Sequence, residues 1–574
     1  MRRTSVTRLR HRPLSLGIVF GLATLVAACT AEPEIAADLV LRNGKVVSVD
    51  PATPDGEAIA VLGDTILAVG SDREMSRYIG RETEVIDLAG RLAIPGFIEG
   101  HGHFLGIGSA KMQLDLMHVA NWDEIVAMVA DAASDAPAGA LIQGRGWHQE
   151  KWDRAPPGNV DGLPTHRTLS AVSPNNPVIL RHASGHAAFA NAKAMQMAGI
   201  TRSTPDPPGG EIVRDADGNP IGAFRETAQG LLGPAAANAA PPDTRRQAEM
   251  AIEEVLSKGI TSFQDAGVGF ATLDLYRAMV DDGSMGVRMW AMIRAPNQRL
   301  ADGLAAARTV DYGDHRLTVR AIKVSVDGAL GPHGAWLLEP YTDLPTSRGL
   351  NTSPIDALNE TARLALQHDY QLCVHAIGDR ANREVLNVYE RAFGTAPDKR
   401  DLRWRIEHAQ HLHPNDIPRF GQLGVIAAMQ GIHATSDGPW VIPRLGEQRS
   451  REGAYVWRSL WDSGAIVTNG TDAPVEDVDP IASYYATVSR KLKDGSVFFP
   501  EQRLSRMEAL QSYTSSNALA AFEESIKGSL TPGKLADITV LSKDILTIPE
   551  DEIPTTTVDY TIVGGIVMYA REGN

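Results

Sequence analysis

Eight short apolar runs, several of them separated by a helical pattern, constrain this chain more than any other feature. They fall at residues 92–101, 261–266, 288–294, 318–327, 370–377, 402–408, 424–430 and 465–472. Parallel strands buried on both faces read as such near-continuous runs. Stretches such as "DTRRQAEMAIEEVLSKG" and "IDALNETARLALQHD" lie between them and carry apolar residues at helical spacing. Strand–helix alternation repeated to eight predicts an α/β fold, a TIM-like (β/α)8 barrel, over residues 92–527. The stretch from about 110 to 240 is too long for one connection and is expected to be an inserted subdomain with its own strands, "ALIQGRGW" and "PVILRHASGH". Near the N-terminus, "DLVLRNGKVVSVD" and "EAIAVLGDTILAVG" alternate as strands about Asn-Gly and Gly-Asp turns. "GSLTPGKLADITVLSKD" and "YTIVGGIVMYA" have the same texture near the other end. One small β-sandwich domain, built from residues 39–91 and 528–574, is therefore expected.

A formal net charge of −15 speaks against a nucleic-acid partner, whose phosphates require a basic face. The first residues, "MRRTSVTRLRHR", precede the apolar run "LSLGIVFGLATLVAAC", a pattern of charge, short apolar core and small residues that reads as an export signal over residues 1–28. Its end, "LVAAC", resembles the bacterial lipobox. That implies cleavage before Cys29, lipidation of Cys29 and a tether over residues 29–38. Thr30 is not the aspartate associated with inner-membrane retention, so outer-membrane anchoring is favoured, with the folded part in the periplasm or at the surface. The membrane would be met only through that anchor. The remaining cysteine, Cys373, leaves no pair for an internal disulfide and no Cys-rich zinc site. Any metal must be held by histidine and carboxylate.

Barrel enzymes work at the C-terminal ends of their strands, and the polar residues collect there. The first run ends in His101-Gly-His103, and side chains two apart on an extended backbone share a face. The fourth carries Lys323 and Asp327, the fifth His375, the sixth ends at His408 and the eighth at Asp472. Each residue alone has a bland reading as a loop or core histidine, a snorkelling lysine or a helix-capping aspartate. Together they form an ordered set at the working end of one barrel.

With "IPGFIEGHGH", "IKVSVDGALG", "VHAIGDRAN", "RIEHAQ" and "GTDAPVEDVDP" in this order, the chain resembles the amidohydrolase superfamily of metal-dependent hydrolases. It is most similar to the branch of N-substituted formamide deformylases and exoenzyme-regulatory-protein-like hydrolases. The resemblance implies two divalent metal ions, most plausibly Zn2+. His101, His103 and Asp472 would hold one and His375 and His408 the other, with Lys323 bridging them as a carboxylated lysine. It further implies hydroxide attack on an amide-type small molecule, with Asp472 carrying the proton to the leaving amine. A one-metal site with Lys323 as an ordinary amine is the alternative. His186, Arg145 and Trp147 fall in segments that resemble the family's active-site surroundings, and His433 follows the seventh strand; these are the expected substrate contacts. Glu99 stands where the family commonly has aspartate.

Rival readings are fewer. "GSLTPGKL" has phosphate-loop spacing, but Leu535 replaces the required Ser or Thr and no helix pattern follows. No G-x-S-x-G occurs, which weakens a serine-hydrolase reading. Ester or lactone hydrolysis at the same site, and a non-catalytic small-molecule-binding lipoprotein, stay open. A homodimer is compatible with everything above.

Overall fold

The computed structural model describes residues 35–237 and 241–572. Cys29 and the export segment lie outside the described residues. Among the described residues no helix is long and apolar enough to cross a membrane.

Eight parallel strands form a nearly closed barrel in sequence order. They are β1 (Phe97–Gly102), β2 (Ile260–Val268), β3 (Arg288–Ile293), β4 (Leu317–Ser325), β5 (Gln371–Ala376), β6 (Arg405–His408), β7 (Ile426–Gln430) and β8 (Val467–Gly470). Their apolar composition follows from double-sided burial: every residue of β3, "RMWAMI", is enclosed. Helices such as Thr244–Ser257, capped by Asp243 accepting from Arg246 N at 2.9 Å, pack outside. The seam between β8 and β1 is joined just past the strand ends, by Asp472 N to His101 O (2.8 Å) and His103 N to Ala473 O (2.7 Å).

Glu99 belongs to this seam. Its Oε1 accepts from Thr471 N at 2.6 Å, and it occupies space that a side chain at Gly470 would fill. Burial pushes its carboxyl up to about 8.

The first expected strand, 92–101, is in fact two. Leu92–Pro95 lies in a five-stranded sheet with Lys45–Val46, Ile538–Leu541, Val558–Val563 and Ile566–Ala570, so both ends of the chain share one sheet. The chain then enters the barrel at Gly96, where a Cβ would fall 2.2 Å from Thr261 Oγ1. A four-stranded sheet, including Leu39–Arg42 and Ala58–Leu62, completes the small domain. Leu41, Ile59, Val61, Ile538 and Ile562 form a core common to both sheets. Arg288, at the start of β3, ties the barrel to this domain through Asp537, with Nε to Oδ2 at 2.8 Å and Nη2 to Oδ1 at 3.0 Å.

The long connection after β1 folds into a six-stranded sheet running from Leu114–Asp115 to Pro220–Glu226 in sequence. Trp122, Trp147, Leu180 and Phe189 form its separate core.

Candidate metal centre

The histidines, lysine and aspartate singled out in the sequence converge at the C-terminal mouth of the barrel. His101 is the fifth residue of β1, and His103 immediately precedes the helix Phe104–Lys111. Lys323 lies in β4 paired with Cys373, and His375 in β5 is paired with Ser325. His408 closes β6 and Asp472 follows β8, both with positive φ (75° and 58°) that turns the chain out of the barrel wall.

Donor atoms of His101, His408 and Asp472 all lie within 4.8 Å of one another. Asp472 Oδ1 is 3.2 Å from His103 Nε2 and 3.5 Å from His101 Nε2. Lys323 Nζ is 3.5 Å from His101 Nε2. The His375 and His408 rings are 4.5 Å apart, and those of His101 and His408 are 4.7 Å apart. One continuous cluster results, and the His101–His408–Asp472 group cuts across the two ligand sets expected above.

Supporting groups set which nitrogen of each ring is free. Glu407 hydrogen-bonds His101 Nδ1, and Gln430 Oε1 lies 2.7 Å from His408 Nδ1. Both leave Nε2 for the cluster, as partners of metal-bound histidines do. Glu407 is itself held by Arg405, Nε to Oε1 at 2.7 Å, with both side chains fully buried. Burial opposes ionisation of Glu407, but Arg405 and His101 outweigh it and hold the carboxyl well below the usual range. Asp327 faces His375 at 3.5 Å, but its carboxylate accepts from Trp336 N, Ile377 N and Gly378 N at 2.8–3.0 Å. It therefore fixes the loops after β4 and β5.

The donor set fits a divalent cation. Burial keeps His101 (about 4), His375 and His408 neutral, the form that ligates. Burial works against ionised Asp472, yet His103, His101 and His408 hold its carboxyl well below the usual range. His375 Nε2 is buried with no hydrogen-bond partner, an orphan of the kind a cation satisfies. Burial also lowers the Lys323 ammonium to about 8, against the pull of Glu407.

A cleft of about 1380 Å3 opens onto the cluster, lined by His103, Lys323, His375, His408 and Asp472 from the barrel and by Arg145 and His186 from the insertion. His186 Nδ1 contacts Glu226 Oε2 at 2.8 Å, and its ring lies 4.9 Å from that of His375. Burial disfavours its charged form, but Glu226, Asp327 and Asp472 raise its pKa overall. His433 lines a smaller adjoining pocket of about 40 Å3, its Nδ1 accepting from Gln410 Nε2 at 3.0 Å.

Trp147 lies elsewhere. Strand alternation would put it beside Arg145, but the pairing shifts after Arg145, so that His182 faces Trp147 and Gly146 bulges at φ +113°. The indole turns into the insertion core, donating to Leu180 O at 2.9 Å, and does not line the cleft. Sequence reasoning did not single out Glu407, Gln430 or Glu226. Glu407 left a readable signal, a carboxylate inside the apolar strand "RIEH", and Gln430 another as the last residue of "IAAMQ". Glu226 left none, because only the fold brings it to His186.

Hydrolases that gather a cation at this end of an α/β barrel are a recognised structural class, and the fold and the site together fit it. The chain belongs to the Amidohydrolase family, whose model matches residues 84–569. It is 32% identical to Protein LONG AFTER FAR-RED 3 of Arabidopsis thaliana, covering 93% of this chain and 92% of that one. To N-substituted formamide deformylase of Arthrobacter pascens it is 29% identical, over 94% and 99%. Among solved structures, an uncharacterized metal-dependent hydrolase from Pyrococcus furiosus aligns with a TM-score of 0.67 and 28% identity, over 89% of this chain and all of that one.

Proposed function

We propose that this protein hydrolyses a carbon–nitrogen bond other than a peptide bond, in an amide, formamide or cyclic amide. The observation that carries the reading is the mutual 4.8 Å grouping of His101, His408 and Asp472 in a family chain related end to end to a formamide deformylase. In this reading two divalent ions, zinc foremost, would be held by His101, His103, His375, His408 and Asp472, with Lys323, after its neutral amine adds to carbon dioxide and releases a proton, as a further anionic ligand. When bound they supply Lewis acidity, polarising a carbonyl and making water nucleophilic at neutral pH.

The chain's own residues do the rest. Water adds to the carbonyl carbon, and its proton is taken up at the Asp472 carboxylate. Asp472 delivers that proton to the nitrogen as the C–N bond breaks, leaving an amine and a carboxylic acid that gives up its remaining proton to solvent. Glu407 and Gln430 keep His101 and His408 oriented throughout. His186, held by Glu226, faces His375 across the cleft from the insertion side. The protein acts, in this reading, as an exported enzyme anchored through lipid on Cys29.

A panel of matched amides, formamides, esters and lactones, run with zinc-replete and chelated protein, tests this. Turnover of amides or formamides that disappears on chelation and returns with zinc is expected. Turnover confined to esters and lactones would replace the bond assignment. Tight metal uptake with no turnover of either type would favour a binding protein.

A further inference from the structure

The insertion lines the cleft with two arginines that no carboxylate among the described residues pairs directly. Arg145 and Arg181 are direct cross-strand partners in the parallel pair Ile142–Trp147 and Val178–His182. Gln143 and Arg145, alternate residues of one strand, line the cleft together with Leu141 just before it, and so does Arg181. Like charges placed directly opposite on one sheet face are destabilising. Neither guanidinium has a carboxylate within ion-pair distance among the described residues.

What Arg145 does contact is neutral. Its Nη2 donates to Ala183 O at 2.9 Å and its Nε to Pro474 O at 3.4 Å, two residues beyond Asp472. Asp115, its neighbour on the other side, accepts instead from Met117 N at 3.0 Å. The cleft's own carboxylates are engaged elsewhere: Glu226 with His186, Asp327 with three backbone N–H groups, and Asp243 as a helix cap. Asp472 belongs to the histidine cluster. A third arginine, Arg294 after β3, also lines the cleft, and its hydrogen bond goes to Ser325 Oγ at 3.1 Å. Burial pulls Arg145 down to about 10, with Arg181 adding repulsion against the attraction of Asp472.

We propose that Arg145 and Arg181 form a carboxylate-binding subsite, so that the substrate is an amide or formamide that also bears an anionic carboxylate. The planar guanidinium fork suits a carboxylate in paired hydrogen bonds, and a bound anion relieves the repulsion within the pair. For the bond that is cut, this rests on the reading above; for the anion that is bound, it stands independently.

The test uses two probes of matched size, anionic 4-formamidobutyrate and neutral 4-formamidobutyramide, titrated calorimetrically into the zinc-replete full chain, with product formation followed in parallel so that the heat of any turnover is subtracted. The acid is expected to bind at least about tenfold more tightly than the capped amide, as charge-assisted pairing requires. That ratio should fall toward one in Arg181→Gln and in Arg145→Gln and recover in part in Arg181→Lys. Arg181 is exposed, so its variants should keep the parent's thermal midpoint. Equal binding of both probes by the parent would overturn the subsite. A preference for the acid that survives both glutamine variants would also overturn it, because the carboxylate would then be held by metal. Arginine-dependent preference without hydrolysis of either probe would support the subsite and count against the formamide reading alone.

Discussion

Glu407 and His101 are hydrogen-bonded across the barrel interior although 306 residues separate them in sequence. The bond fixes the imidazole with Nε2 toward Asp472, and Arg405 keeps the carboxylate charged. A histidine held in this way needs no reorganisation to receive a cation.

Replacing Glu407 by Gln should therefore weaken metal binding by about 10- to 100-fold, the usual cost of losing such a partner. Competition against a fluorescent chelator reads this directly. Unchanged affinity would show that His101 is positioned by packing alone.

Lys323 sits 3.5 Å from His101 Nε2 and is enclosed. If it bridges two ions, Lys323→Ala should lower metal content from about two equivalents to one or none, with activity falling with it. Elemental analysis by mass spectrometry on the purified variant decides the matter, beside His101→Ala as a control. Full occupancy without the lysine would reduce it to an ordinary amine.

The Arg288–Asp537 pair joins barrel and small domain with both side chains buried. Burial opposes the charge on Asp537, but Arg288 more than offsets it and holds the carboxyl below its usual value. A depressed carboxylate pKa contributes stability that is complete above the unfolded value of about 3.9 and lost as pH falls through the folded one. Asp537→Asn should cost about 3–5 kcal/mol at pH 7, since it leaves Arg288 buried and unpaired. The gap between denaturant melts of parent and variant should begin to narrow as pH falls below about 4 and go on narrowing toward the folded value; a constant gap down to pH 2 would mean that the carboxylate charge is not what matters.

Cys29 carries a prediction of its own, outside the described residues. Cells fed an alkyne-tagged fatty acid should label the parent and not Cys29→Ser, and the variant should leave the membrane fraction. Equal labelling of the two would remove the lipid anchor.

The barrel was legible because most of its parallel strands lie within buried runs of strand length rich in apolar residues, and the candidate site because its residues fall at or near the ends of those runs. His101, His103, His375, His408 and Asp472 needed only strand order to be gathered. What escaped depended on backbone detail. Gly96 splits one apolar run between two sheets, and no composition signal separates "LAIP" from "FIEGHG". Trp147 fell on the wrong face because a one-residue bulge at Gly146 reverses everything after it. Glu226 meets His186 through strand pairing inside the insertion, and Arg181 reaches the cleft only when that insertion covers the barrel mouth, relations that local pattern cannot encode.

The seam that closes the barrel bears on how the protein comes into being. Thr471 N reaches Glu99 across 372 residues of sequence. His101 is thus made early but has no complete set of companions until Asp472 has left the ribosome, and contacts this distant form slowly. A growing chain halted before that point can display His101, His103, His375 and His408, but never the Asp472 carboxylate that completes the group. A cation that needs all three donors of the His101, His408 and Asp472 group would therefore find them only after the last barrel strand has been made.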